Sequence, residues 1–470
     1  MRTYYLAVDI GASSGRHILG HIEDGKMVLE EVYRFDNGME DNEGHLCWNL
    51  DKLFYEIKRG LIKCREIGKI PASMGIDTWA VDYVLLDEKD RILGRTYAYR
   101  DHRTDSMDKE VSKYISEEDL YSRTGIQKQL FNTIYQLYAH KMQSPEILDK
   151  AQTFLMIPDY FNFLLTSIKS NEYTNATSTG LVNAETKDWD RDLIDLLGYP
   201  QRLFGKLSTP KTVLGRFSPE IVEEVGFDCE VVLPATHDTG SAFLAVPARD
   251  ENAFYISSGT WSLMGTEMLS PVINEESRLA NLTNEGGFDY RFRYLKNIMG
   301  LWIIQSIRRE LDKKYGFDEL SNMAKESAYF TSQIDVNHNS FLSPKSMIDA
   351  IKDYCKKSDQ AVPQTIGELM QCVYTSLAQS YAETLEQLEK LTDKNCSAIN
   401  IVGGGSQDNY LNQLTANYTG NTVYAGPTEG TALGNLMVQM IRSGEFADLS
   451  EARAAIPKSF EIRKIESNSY

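Results

Sequence analysis

Tyr4-Tyr5-Leu6-Ala7-Val8-Asp9-Ile10-Gly11-Ala12-Ser13-Ser14-Gly15-Arg16 reads as an apolar strand, a small turn of Gly and Ser, and the opening of a second strand. The same device returns at Phe254-Tyr255-Ile256-Ser257-Ser258-Gly259-Thr260-Trp261-Ser262. Turns of Gly and Ser leave backbone N–H groups unshielded, so they can cradle phosphate, and Gly11 and Gly15 permit positive φ there. One such turn is a weak signal, because hairpins use the same residues. Two of them half a chain apart predict two similar lobes gripping a nucleotide, and hence an ATP-dependent phosphotransferase.

Outward from the first turn, strand patterns fall at 4–9, 16–22 and 27–35, separated by turn residues, as a three-stranded meander. A helix follows with Leu50, Leu53, Phe54, Ile57 and Leu61 on one face and Asn49 as its N-cap. Buried strands are predicted at 74–76 and 84–86, so the order is βββ-α-β, a mixed sheet. From about 105 to 211 the pattern is helix and loop, an insertion suited to substrate recognition. The strand 231–233 runs into His237-Asp238-Thr239-Gly240-Ser241, and 246–251 reads as a hinge. Beyond the second turn, a long amphipathic helix is predicted over 367–391. The strand 399–402 opens into Gly403-Gly404-Gly405-Ser406, with a helix from near Asn409 and a strand at 422–424. Residues 426–434 open a last patterned helix, and 455–470 show no readable pattern.

A chain of 470 residues has room for two or three domains. Its hydrophobic fraction of 42% and charged fraction of 25% are those of a soluble globular protein. A formal net charge of -18 argues against nucleic-acid binding and against docking on an anionic membrane. No apolar run reaches the roughly 18 residues that span a bilayer, and no signal-peptide pattern opens the sequence. The scattered cysteines form no CxxC, which suits free thiols in a cytoplasmic protein, and a Cys355–Cys372 bridge cannot be judged from spacing.

Asp9 ends a strand and faces the first turn, where it could help hold Mg²⁺ or simply bond to turn N–H groups. Ala12, Ser13, Ser14, Gly15 and Arg16 could add donors to a phosphate. Asp238 lies between a strand and a helix start, the usual place for an α/β active-site carboxylate. There it could accept a hydroxyl proton during phosphoryl transfer, kept ionised by the helix N-terminus, or act as an ordinary N-cap. Gly403-Gly404-Gly405 between strand and helix is an anion or adenosine platform. It lacks the GxGxxG spacing, and the chain has no GxxxxGK[ST], so neither a dinucleotide fold nor a P-loop is indicated. Cys and His are too dispersed for a zinc site. Trp48, Trp79, Trp261 and Trp302 each lie near a motif and could floor a sugar pocket or pack a core.

These strings together resemble the FGGY family of carbohydrate kinases. Val8–Arg16 in order, Gly75-Ile76-Asp77-Thr78-Trp79-Ala80-Val81-Asp82, Tyr99-Arg100-Asp101-His102-Arg103-Thr104, the run from Asn171 to Thr179, and Ala235-Thr236-His237-Asp238-Thr239-Gly240-Ser241 carry the resemblance. So do Ser258-Gly259-Thr260-Trp261, the stretch from Asn297 to Gln305, and Gly403-Gly404-Gly405-Ser406-Gln407. The resemblance implies an α/β fold of two actin-like, ribonuclease-H-like lobes, 1–246 for sugar and 247–470 for nucleotide, flanking a cleft. It implies Asp238 as general base, with Ala80, His237, Asp238, Thr239 and Asn297 at the sugar. It puts Ala12, Ser13, Ser14, Gly15, Arg16, Thr260, Gln305 and Gly404 at ATP, and Asp9 at Mg²⁺. Ala80 stands where some members have Gly, a difference of one methyl group. The partners implied are a small-molecule ketose and ATP, with no nucleic acid and no membrane, in a cytoplasmic monomer or homodimer. The strings favour L-rhamnulose over L-fuculose, L-ribulose or D-xylulose. Asp9, Asp238 and both turns argue against a non-catalytic sugar sensor, and an actin-like filament or chaperone lobe, which would keep the nucleotide cleft, would have no reason to carry Asp238 or Asn297.

Overall fold

The computed structural model describes residues 2–468. The chain divides into two compact units. The first comprises Met1–Ala245, Met268–Tyr294 and Thr431–Ser459, and the second Val246–Glu267, Leu295–Gly430 and Phe460–Tyr470. Two later segments of the sequence therefore return to the first unit.

The first unit is built on strands β1 (Tyr4–Ile10), β2 (Ser14–Glu23), β3 (Lys26–Asp36), β4 (Pro71–Thr78), β5 (Val213–Arg216) and β6 (Glu230–Val232), in the order β5-β6-β4-β1-β2-β3. β1 runs antiparallel to β2 and parallel to β4. As a central strand, β1 buries every residue from Tyr5 to Ile10, which is why it reads as a continuous apolar run. The expected helix spans Leu50–Glu66, and Asn49 caps it by accepting from Lys52 N–H. Leu50, Leu53, Ile57 and Leu61 bury its inner face in one core with Leu6, Val8, Met74 and Ile76. Each such side chain contributes about 1.5–3 kcal/mol of burial. Between 105 and 211 the chain is mostly short helices, among them Thr133–Gln143, Ile157–Thr166 and Tyr173–Thr177. The predicted strand at 84–86 forms as Tyr83–Leu86, but it pairs with Thr153–Met156 rather than joining the main sheet.

The second unit repeats the arrangement. Strand β7 (Ala253–Ser258) runs antiparallel to β8 (Ser262–Met268) and parallel to β10 (Ala398–Val402), as β1 does to β2 and β4. With β9 (Phe292–Ile298), β11 (Val423–Ala425) and β12 (Arg463–Ile465) the order is β9-β8-β7-β10-β11-β12. The long helix runs Ile366–Thr392 behind a capping box of Thr365 and Glu368. The tail, which showed no pattern in sequence, forms a helix, Leu449–Ser459, and the edge strand β12. β12 has only three residues, too short for alternation to declare it. All six cysteines are free thiols, with Cys355 and Cys372 hydrogen-bonded rather than bridged.

Candidate active-site residues

In the first unit, the β1–β2 turn closes with Gly11 N–H donating to Ser14 O at 2.9 Å, and the Asn37 side chain donates to Gly11 O. Neither Gly11 nor Gly15 adopts positive φ, contrary to the expectation. Gly15 is needed for space instead: a Cβ there would lie 2.1 Å from the Phe35 ring. Ser13 is exposed and Ala12 and Ser14 half-buried, so this turn keeps an open surface. Arg16 lies opposite Asp9 in the ladder, and its Nε and Nη2 both donate to Asp9 Oδ2, at 3.1 and 3.0 Å.

On the other side of β1, Asp9 is paired with Asp77 of β4. Asp77 is wholly buried; its Oδ2 accepts from Asn435 Nδ2 at 2.6 Å, while Oδ1 has no hydrogen-bond partner. Burial, then the Asp9 carboxylate, pushes its carboxyl well above the usual range. Asp238 faces the same pair and adds to that effect. Three carboxylates from two adjacent strands and one helix start thus converge.

Asp238 is the first residue of the helix Asp238–Leu244, with His237 at the N-cap position, so it is not itself a cap. Its Oδ1 accepts from Thr239 N–H at 2.6 Å, and about 26% of its side chain remains exposed. The helix N-terminus was expected to hold it ionised. Burial outweighs that effect, as does Asp9 in the same direction, and the carboxyl is pushed up to about 6 despite His237 and Arg293. At neutral pH such a group is still mostly ionised, yet basic enough to take a proton. The turn before it is clamped by Glu172, whose carboxylate accepts from Thr236 N–H (3.0 Å), Thr236 Oγ1 (2.8 Å), Thr174 N–H, Thr174 Oγ1 and Asn175 N–H.

Ala80 lies in a tight turn in which Asp82 N–H donates to Ala80 O at 2.9 Å and Val81 sits at φ 67°. That is a γ-turn of the strained hand, and a β-branched residue in it costs roughly 1–3 kcal/mol. The strain is held by Thr133 Oγ1 donating to Val81 O at 2.6 Å and by Asp82. Asp82 is buried and accepts from Trp48 Nε1 (2.6 Å), Trp79 Nε1 (3.0 Å), Tyr99 N–H (3.1 Å) and Gln136 Nε2 (2.9 Å). Burial pushes its carboxyl up to about 6 against those four donors. Trp48 and Trp79 pack with ring centroids 4.1 Å apart and planes tilted by 36°, so both rings are core members serving this carboxylate.

In the second unit, the β7–β8 turn is one residue shorter and closes with Gly259 N–H donating to Trp261 O at 2.9 Å. The N-terminal end of the helix Trp302–Glu310 staples it: Leu301 N–H donates to Gly259 O and Trp302 N–H to Thr260 O. Thr260 Oγ1 lies 3.4 Å from Gln305 Oε1. Gly403 adopts φ 87°, and its Cβ would lie 2.9 Å from Ser258 O; a Cβ on Gly405 would lie 1.9 Å from Ser258 Oγ. The triple glycine therefore packs its backbone on the turn, and Gly404 faces open space. Thr260, Gln305 and Gly404 are brought to one locality. Asn297, on β9, is half-buried in this unit.

Sequence reading did not single out Asp77, Asp82, Glu172, Glu285 or Arg293. Asp77 and Asp82 stood in a quoted string, and a carboxylate ending a strand beside Asp9 was a usable signal. Arg293, a charge inside the apolar strand Phe292–Ile298, was another.

Residues 4–245 match the N-terminal domain and residues 254–443 the C-terminal domain of the FGGY family of carbohydrate kinases. A rhamnulokinase of Oceanobacillus iheyensis is 51% identical over 462 residues, 98% of each chain. One of Halalkalibacterium halodurans is 51% identical over 461 residues, again 98% of each. One of Bacillus subtilis is 42% identical, over 98% of this chain and 94% of its own. Among solved structures, a gluconate kinase from Lactobacillus acidophilus superposes with TM-score 0.81 at 18% identity, covering 100% of this chain and 94% of that one. A Plasmodium falciparum glycerol kinase with ADP gives TM-score 0.78 at 14% identity, covering 99% and 94%. The two-domain α/β fold is that of these sugar kinases, and the chain belongs to the FGGY family of carbohydrate kinases.

Proposed function

We propose that this carbohydrate kinase transfers the γ-phosphoryl group of ATP to the 1-hydroxyl of L-rhamnulose, giving L-rhamnulose 1-phosphate and ADP in L-rhamnose catabolism. The observation that carries the sugar is the 51% identity over 98% of each chain to two rhamnulokinases. Asp238 is the general base. It orients the attacking hydroxyl and takes its proton as the phosphoryl group moves, work that is chiefly positioning and charge stabilisation. His237, Thr239 and Ala80, with Asn297, bind the ketose. The turn from Ala12 to Arg16, together with Thr260, Gln305 and Gly404, binds ATP.

The residues present fit Mg²⁺. Asp9 would hold it, with the unpartnered Asp77 Oδ1 beside it. When bound, Mg²⁺ supplies neutralisation of the phosphate charge. No helix among the described residues is long and apolar enough to cross a membrane. A role that spends ATP on a small sugar supports a cytoplasmic location.

Incubation with Mg²⁺-ATP and L-rhamnulose, followed by phosphorus and carbon NMR of the product, tests the reading. It requires a single phosphate ester on C1. An ester on another carbon, or none, refutes it.

A further inference from the structure

Arg293 is 1% exposed, yet it makes four polar contacts around the proposed sugar residues. Nε donates to Gly286 O at 3.1 Å, Nη1 to Thr239 Oγ1 at 2.8 Å, and Nη2 to His237 Nδ1 at 3.1 Å. Nη2 also lies 3.0 Å from Glu285 Oε2. Glu285, on the strand Thr283–Gly286, is itself 6% exposed. A buried guanidinium and carboxylate are costly to desolvate, and a plain core could replace them at little loss of stability. What they hold in place is therefore the informative part.

The hydrogen-bond inventory fixes a polarity. A guanidinium only donates. Nη2 is aligned on His237 Nδ1, so whenever the ring is neutral Nδ1 accepts and its single proton sits on Nε2. Glu285 Oε2, although 3.2 Å from Nδ1, makes no aligned hydrogen bond, so it does not compete for that tautomer. His237 Nε2–H then donates to Thr239 Oγ1, 3.0 Å away. With Arg293 Nη1 donating as well, both acceptor positions of Thr239 Oγ1 are filled. The hydroxyl is left with one role, that of a donor, on a half-buried residue adjoining the proposed base Asp238.

We propose that Arg293 and Glu285 are positioning residues for the sugar: they lock the His237–Thr239 pair so that the Thr239 hydroxyl donates a hydrogen bond to a carbonyl or hydroxyl oxygen of the ketose. Glu285 supplies the counter-charge that keeps Arg293 buried, and Arg293 sets the tautomer. This deepens the site reading above and rests on it. It predicts a site that selects for an acceptor oxygen at this position and loses affinity for an analogue lacking one.

The test compares Arg293→Met/Glu285→Leu, Arg293→Lys and Thr239→Val with the unmodified enzyme. The measurements are melting temperature, kcat, KM for ATP and KM for the ketose. The ketose used is whichever of L-rhamnulose, L-fuculose, L-ribulose and D-xylulose the unmodified enzyme turns over best. The choice of sugar thus judges the L-rhamnulose reading, and the variants judge this one. Replacing both members of the pair should leave melting close to the parent, raise KM for the ketose at least tenfold, and leave KM for ATP within twofold. Arg293→Lys, which keeps the charge but cannot bridge both neighbours, should fall between. Thr239→Val should match the paired replacement alone and add less than twofold on top of it, because both remove the same bond. Should the paired variant fail to fold, Arg293→Lys combined with Thr239→Val supplies the same non-additivity. A ketose KM within twofold of the parent in the paired variant, a parallel rise in KM for ATP, or fully multiplicative effects of Arg293→Lys and Thr239→Val would overturn the proposal.

Discussion

Lowering the pH should switch the enzyme off through Asp238, and the structure gives the midpoint. A general base works only when ionised. Its carboxyl is pushed up to about 6 by burial and Asp9, against the pull of His237, the Thr239 N–H and Arg293. Ionisation is then about 90% near pH 7 and about 10% near pH 5, so kcat/KM for the ketose, which follows the ligand-free enzyme, should fall at least about tenfold across that interval. An Asp at its ordinary value would stay more than about 90% ionised at pH 5, and kcat/KM would barely move. Asp82 titrates in the same range, its carboxyl also standing at about 6. Its protonation weakens the bonds that hold the Ala80 turn, so the profile is taken in Asp82→Asn as well, where the fall that remains belongs to Asp238. The assay is direct detection of ADP at limiting ketose and saturating Mg²⁺-ATP from about pH 4.5 to 8, without coupling enzymes that have pH limits of their own. A kcat/KM that stays level down to about pH 4.5 would contradict this role. So would an Asp238→Asn variant that keeps more than about one hundredth of the parent kcat, since base catalysis is worth roughly 10²–10⁴-fold.

Gly405→Ala should damage nucleotide binding selectively: its Cβ would lie 1.9 Å from Ser258 Oγ and 2.6 Å from Ser258 Cβ, so the turn or the triple glycine must move. Overpacking of this kind costs about 1–3 kcal/mol, read as a lower melting temperature and a KM for ATP raised at least tenfold, with ketose affinity measured by calorimetry unchanged. Asp82→Asn turns one acceptor oxygen into a donor among four N–H groups, costing about 1–3 kcal/mol and raising KM for the ketose while KM for ATP holds. Val81→Gly and Val81→Ala give up the same buried side chain, but only glycine relieves the positive φ, so denaturant unfolding should show Val81→Gly at least as stable as Val81→Ala, with ketose binding weakened in both. Asn49→Ala removes the cap on the Leu50–Glu66 helix and should cost about 1 kcal/mol in denaturant unfolding without touching any kinetic constant.

The strand-turn-strand pairs were legible because β1 and β7 are central strands, and burial on both faces writes an unbroken apolar run into the sequence. Helices with one apolar face, Leu50–Glu66 and Ile366–Thr392, declared themselves by spacing and caps. Two kinds of feature did not. Short elements such as β12, or the pairing of Tyr83–Leu86 with Thr153–Met156, depend on partners distant in the chain and carry no local signal. Nor did the return of Met268–Tyr294 and Thr431–Ser459 to the first unit, although it brings Glu285, Arg293 and Asn435 to the residues around Asp238 and Asp77. At the site, residues in turns of Gly, Ser, Thr and Asp could be named in advance. The buried polar residues supporting them could not, because an Asp or Arg inside a strand looks the same whether it packs outward or inward. Gly15 shows the difference in kind: the residue was read correctly as special, but for φ rather than for the Phe35 ring against it.

The most direct measurement is ADP release with Mg²⁺-ATP against L-rhamnulose, L-fuculose, L-ribulose and D-xylulose, each beside a control without sugar. The account predicts rapid, sugar-dependent turnover with L-rhamnulose far ahead of the other three. Equal or faster turnover of another ketose would contradict the substrate assignment, and ADP release independent of any sugar would contradict sugar phosphorylation itself.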